Sequence, residues 1–374
     1  MDHRQRVMAA VNLREPDRVP LALWGSDYSI SDVVYFDLLK LLNFGSPLLP
    51  TRSFKGNDYN YMDDRILAAL DVDTRYVDTG FTDLGGATRG GGKDCWGVKF
   101  LDSAGSLTPV DPPLLNSTAS DLANYPFPVS WKYMRIEEFK KRAKYLKEET
   151  DFAVVGRAID TLGPFQRCCA LRSREKFLSD LINDEEFSFT LIQKVSNVFC
   201  RSLEILLNEA GDYLDIVELP GDDYAGIRPY ISPKMFDRIF APTWQIMIDM
   251  IRNAAPRSRI LFHSSGNIEL FISRLCSMGV DIIHGISEQP GIDMAKIKAQ
   301  FGGHICFWGA VDPKTMLAGT EDQVVENIQR TITTLGSGGG YVLSPSTHLD
   351  LSVSAINVIT CYKSAKEFGN YPLK

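Results

Sequence analysis

Short apolar runs alternate with amphipathic stretches through most of this chain, most regularly beyond residue 131. The runs are Phe152-Ala-Val-Val-Gly-Arg-Ala, Tyr213-Leu-Asp-Ile-Val-Glu-Leu, Arg259-Ile-Leu-Phe-His, Val280-Asp-Ile-Ile-His-Gly-Ile, His304-Ile-Cys-Phe-Trp-Gly-Ala-Val and Tyr341-Val-Leu-Ser-Pro. They are too short for helices and lack polar alternation, as expected of strands buried on both faces of a parallel sheet. Between them, apolar residues recur at helical spacing over 135–148, 164–209, 268–277, 292–301, 320–335 and a last segment ending near Phe368, with a further helix after Ser232-Pro233. Asn183 or Asp184 punctuates the long stretch 164–209. Further upstream, residues 1–13, 31–42 and 61–70 read as helices, and Leu21–Ser26 and Val72–Asp78 as strands. The tally is about eight strand–helix units, which predicts one α/β domain over residues 1–374, a single (β/α)8 TIM barrel with an N-terminal extension and inserted loops.

Two segments interrupt this pattern. Gly85-Gly-Ala-Thr-Arg-Gly-Gly-Gly-Lys lacks the spacing of a phosphate loop and leads into a hairpin-like strand, so it reads as an excursion. Residues 102–130, rich in Pro, Ser and Asn, are expected to form a long surface loop or lid.

Composition narrows the class. A net charge of −7 with no basic run argues against nucleic acid or an anionic membrane as partner. No apolar run reaches the length of a membrane span, and the N-terminal stretch has no signal-peptide core. The seven cysteines include no CxxC pair, which favours buried thiols and a reducing cytoplasm. Hydrophobic residues make up 44% of the chain, enough for a large core.

In a parallel barrel the residues just past the strands converge at one mouth. Those residues are Asp27 and Tyr28, Arg157 and Asp160, Glu218 with Asp222 and Asp223, His263, His284 and Glu288, Asp312, and Ser346 to His348. Two imidazoles among carboxylates suit either Zn²⁺ with an open position or metal-free acid–base work. Plainer roles compete with these. Asp222 and Asp223 also suit capping the helix after Ser232 or bracing the loop, and because they are adjacent they point differently, so only one of them faces the pocket. Asp312 before Pro313 reads as a cap, His304 as a residue of the opposite face, and Trp308 and Phe262 as core.

Read together, Arg14-Glu-Pro-Asp-Arg-Val-Pro, Gly221-Asp-Asp-Tyr, Ile231-Ser-Pro-Lys-Met-Phe, His263-Ser-Ser-Gly-Asn, Phe307-Trp-Gly-Ala-Val-Asp and Gly338-Gly-Gly-Tyr-Val-Leu-Ser-Pro resemble the uroporphyrinogen decarboxylase superfamily. The resemblance implies a (β/α)8 barrel. Trp24-Gly-Ser-Asp-Tyr-Ser lacks the arginines that hold porphyrinogen carboxylates in true decarboxylases. The opening motif is more similar to the corrinoid-dependent methyltransferase branch. That branch implies a methyl group moved from a methoxylated, aromatic substrate to the cobalamin of a separate corrinoid protein. His263-Ser-Ser265-Gly266 stands where thiol-methylating members carry His-x-Cys-Gly, and His348 stands near the position of a later Cys. The resemblance thus implies an oxygen and nitrogen zinc site built from His263, Glu218, Asp222 and His348, with Zn²⁺ as Lewis acid and Asp222 and His263 catalytic. Trp24, Tyr28, Phe81, Arg157 and Tyr224 are the expected substrate-binding residues, and a homodimer is the candidate assembly. The alternatives are a metal-free decarboxylase, with Asp222 stabilising a protonated intermediate and Arg157 or Arg228 holding a carboxylate, and a non-catalytic binding relative.

Overall fold

The structure, a computed structural model, describes residues 1–23, 30–46, 63–79, 93–103, 106–129, 134–157 and 162–373. Seven parallel strands make the central sheet: β1 (Thr74–Asp78), β4 (Ala153–Arg157), β5 (Ile216–Glu218), β6 (Arg259–His263), β7 (Ile282–Ser287), β8 (Cys306–Val311) and β9 (Tyr341–Pro345), in that spatial order. The eighth place is taken by residues 20–22. Leu21 bridges Leu343 in parallel, Ala22 N donates to the Leu343 carbonyl, and Asp73 N donates to that of Leu21. This short segment joins the two edges of the sheet and makes the architecture barrel-like. The strand expected over Leu21–Ser26 thus shrinks to a bridge, and residues 24–29 lie outside the described residues.

β2 (Lys99–Ser103) and β3 (Ser106–Val110) form a separate antiparallel hairpin. The segment after it, expected as a long surface loop or lid, is anchored to the body of the protein at several points. Leu114 and Leu122 are buried, Leu114 N donates to Leu171 O, and the Arg172 guanidinium bonds the carbonyls of Leu114 and Ser117. A polar composition conceals such anchors because they are made by backbone groups.

The stretch 164–209 divides into helices Pro164–Arg172, Arg174–Asn183 and Glu185–Ala210. Asp184 provides the expected break, accepting from Phe187 N at 3.2 Å. The earlier break falls at Ser173, a non-glycine residue at φ +71° whose hydroxyl caps the next helix at Lys176 N. Helix Ala241–Ala254 buries Trp244, Met247, Ile248 and Ile251 on one face, and the Trp244 ring meets Phe262 of β6 edge-on at 5.0 Å. Each such side chain contributes roughly 1.5–3 kcal/mol on removal from water.

Asp73, just before β1, ties helix His3–Val11 to the sheet. Fully buried, it accepts from His3 Nδ1 (2.7 Å), Arg6 Nη1 (2.6 Å), Arg18 Nη1 (2.8 Å) and Leu21 N (2.7 Å). A charge taken so far out of water needs this many donors.

Candidate active site

Strand register sets which side chains face the barrel interior. Arg75 of β1 points outward, where its Nε pairs with Asp64 at 3.2 Å and its guanidinium stacks on Phe152. Alternation along the strand then turns Asp78 inward. Asp78 is in register with Arg157, and Arg157 with Glu218. Glu218 is in register with Leu261, two residues before His263, and His263 pairs with His284. Asp78, Arg157, Glu218, His263 and His284 therefore project from successive strands toward the same interior; the first four are the last residues of their strands, and His284 lies within β7. All but half-buried Asp78 are buried.

The two imidazoles are joined, Nδ1 to Nδ1, at 2.5 Å. His284 Nε2 lies 3.2 Å from the Pro345 carbonyl, which can only accept, so Nε2 carries the proton. Burial and the neighbouring His263 push the His284 imidazole well below the usual range, so it stays neutral. Its Nδ1 must then accept the Nδ1–H of His263, and in neutral His263 the remaining nitrogen, Nε2, is unprotonated. A backbone carbonyl thus fixes the tautomer of His263 through a second ring.

Glycine at two neighbouring positions makes room for this pair. A Cβ on Gly285 would lie 2.7 Å from His263 Cε1 and 2.7 Å from Ser264 O, and one on Gly309 would lie 3.4 Å from His284 Cδ2. Both glycines adopt positive φ, +95° and +116°, where a side chain is strained in any case.

The adjacent aspartates diverge. Asp222 turns to the start of helix Pro164–Arg172, accepting from Phe165 N (3.0 Å), Gln166 N (2.9 Å) and the Tyr224 hydroxyl (2.6 Å). Burial pushes its carboxyl up to about 7 despite these three donors. Asp222 therefore caps a helix in the protein interior, where the sequence pointed to catalysis and metal binding. Tyr224, expected in the substrate pocket, is fully buried between Asp222 and Trp244, whose Nε1 donates to its hydroxyl at 2.7 Å. Asp223 instead reaches the loop after β6. Its Oδ1 accepts from Ser264 Oγ (3.0 Å) and Ser265 N (2.7 Å), and its Oδ2 from Ser265 Oγ (2.8 Å) and Gln166 Nε2 (3.1 Å).

Of the residues expected to hold zinc, Glu218 and His263 face the same interior, but Asp222 does not join them. Asp222 is committed to its helix and tyrosine, and His263 Nδ1 to His284. His348 is half-buried in the turn after β9. Among the described residues no three His, Cys, Asp or Glu side chains converge as a metal site. Trp24, Tyr28, Asp27, Phe81 and Asp160 lie outside the described residues. Asp312 caps the next helix through Lys314 N and Thr315 N, and His304 is exposed at the opposite end, as expected. Sequence reasoning undervalued His284 and missed Ser264, Ser265 and Gln166. The glycine directly after His284, one strand on from His263, was the available signal.

A parallel barrel with ionisable groups gathered at its C-terminal mouth belongs to the class in which that mouth carries the chemistry. Residues 96–368 match the family Uroporphyrinogen decarboxylase (URO-D), and the chain belongs to that family. It is 30% identical to the uroporphyrinogen decarboxylase of Synechococcus sp. (strain CC9902) over 142 residues, 38% of each chain. With the chloroplastic enzyme of Zea mays it shares 26% over 136 residues, 36% of this chain and 33% of that one. The chain thus spans little more than a third of the length of these relatives. Its fold is similar to that of a methyltransferase from Methanosarcina mazei, with a TM-score of 0.68 over 98% of this chain and 99% of that one, at 17% identity. Among the described residues no helix is long and apolar enough to cross a membrane.

Proposed function

We propose that the protein is a methyltransferase of a corrinoid-dependent system. It takes the methyl group of a methoxylated aromatic compound and delivers it to the cobalt of a separate corrinoid protein. The observation that carries this reading is the His263–His284–Pro345 chain, which holds one imidazole nitrogen in a fixed protonation geometry inside the barrel. Two further facts support it: the fold shared with the Methanosarcina mazei methyltransferase, and a first-strand exit that reads Trp24-Gly-Ser-Asp, without arginine.

The chemistry asks for an acid at one atom. As the methyl carbon forms its bond to the nucleophilic cobalt centre of the acceptor, the carbon–oxygen bond breaks and its electron pair moves to the oxygen. An aryl ether oxygen leaves poorly as a bare anion, so a proton must arrive. When His263 carries a second proton it sits on Nε2, and the charge stays on this ring because His284 is held neutral. His284 Nδ1 stabilises that imidazolium by accepting its Nδ1–H. Delivery of the Nε2 proton leaves a phenol and the neutral tautomer. Zn²⁺, the Lewis acid expected from the resemblance, would supply the same electrophile, but the described donor set does not fit it and no step here depends on it.

The test is anaerobic incubation of the full chain with cob(I)alamin and a panel of methoxybenzenes and methoxybenzoates, following methylcobalamin by its absorption. Transfer is expected with wild type and a loss of at least about a hundredfold in His263→Ala. Absence of transfer across the panel refutes the reading. Release of CO2 from a carboxylated substrate would favour the decarboxylase alternative.

A further inference from the structure

Six arginines of the described chain are buried, and five have a carboxylate. Arg6 and Arg18 pair with Asp73, Arg75 with Asp64, Arg167 with Asp94 and Arg172 with Asp180, at distances between 2.6 and 3.2 Å. Arg157 is the exception. It is 5% exposed, and among the described residues it makes no ion pair and its Nε and Nη2 have no hydrogen-bond partner. Asp78 and Glu218 stand in register on either side of it. A guanidinium keeps its proton at every pH the fold survives, so it cannot relieve its burial by becoming neutral. An unpaired buried cation costs several kcal/mol unless an anion completes it. In-register strand pairing aims it into the interior that His263 and His284 also face.

We propose that Arg157 is the anion anchor of the site, binding the carboxylate of the substrate through Nε and Nη2, and that the substrate class is therefore a methoxylated aromatic acid. This rests on the methyltransferase reading for the methoxy group and on Arg157 alone for the acid. The two N–H groups on one edge of the guanidinium match the two oxygens of a carboxylate, and such a pair is both strong and directional. The carboxylate held here is a spectator. A cation fixed on it stabilises the negative charge where it is and opposes its flow toward carbon, so binding at Arg157 works against loss of that group as CO2. The carboxylate fixes one end of the ring, which sets where a methoxy oxygen can lie relative to His263.

The test compares 3-methoxybenzoate with its neutral isostere 3-methoxybenzamide by isothermal titration calorimetry on the full chain. Wild type is expected to prefer the acid by roughly tenfold to a hundredfold. Arg157→Gln should abolish the preference, and Arg157→Lys, which keeps the charge and loses the paired donors, should retain a small part of it. Equal binding of acid and amide by wild type, a preference that survives in Arg157→Gln, or no acid binding at all would each overturn the proposal. If Arg157→Gln does not fold, the wild-type ratio and Arg157→Lys decide. Transfer to cob(I)alamin is read separately. Arg157-dependent acid binding without methyl transfer upholds the anchor and overturns the methyltransferase reading. Transfer from acid and amide at equal efficiency does the reverse.

Discussion

Replacing Asp222 by asparagine separates a structural carboxylate from a catalytic one, and its effect can be worked out in advance. The carboxyl of Asp222 is raised from 3.8 to about 7, chiefly by complete burial. A folded state that binds the proton more tightly than the unfolded chain is favoured at low pH. That advantage declines as pH rises through the interval and is gone above the folded value. Each pH unit in that interval costs the folded state about 1.4 kcal/mol, so between pH 5 and pH 8 the wild type should lose roughly 3 kcal/mol through this one group. Asparagine cannot ionise and carries no such term. It also carries two amide hydrogens and one acceptor where the backbone presents two donors, Phe165 N and Gln166 N. One donor is left unsatisfied, a penalty of about 1–2 kcal/mol that does not depend on pH. Asp222→Asn should therefore be less stable than wild type at pH 5, and equal or more stable at pH 8. Urea unfolding of both proteins at the two pH values measures this directly. A stability difference that stays constant from pH 5 to pH 8 would refute the burial argument. An Asp222→Asn protein as stable as wild type but inactive would return Asp222 to the chemistry.

Three other perturbations test the rest of the architecture. Gly285→Ala places a methyl against His263 Cε1 and Ser264 O at positive φ, and should cost about 2 kcal/mol with more than a tenfold loss of methyl transfer; wild-type kinetics would mean the imidazole does not sit there. Asp73→Asn removes the charge on which His3, Arg6 and Arg18 converge and should cost about 3–5 kcal/mol in thermal or urea unfolding, while turnover per folded molecule is unchanged. Dialysis of the purified protein against a chelator should leave methyl transfer intact; stoichiometric zinc by elemental mass spectrometry, lost in His263→Ala, would restore the metal mechanism.

The barrel was legible in the chain because buried parallel strands must be apolar along their whole length, and the helices between them must be apolar on one face. These are local requirements. The runs at Phe152, Arg259, Val280, His304 and Tyr341 satisfy them, and His263 ends its strand as that reading expected, whereas His284 lies within β7. Caps were legible for the same reason where donor and acceptor are neighbours, as at Asp312. Tertiary structure decided what depends on partners distant in sequence. Asp222 and Asp223 have the same chemistry and adjacent positions, yet one faces a helix start 57 residues upstream of it and the other the loop after β6. The tautomer of His263 is set by a carbonyl at Pro345, reached through His284. Arg157 resembles the other buried arginines in sequence, and its lack of a carboxylate partner among the described residues shows only once the strands are in register. Periodicity fixes which side chains are buried, whereas the direction and pairing of a polar group are settled by long-range contacts that no local pattern encodes.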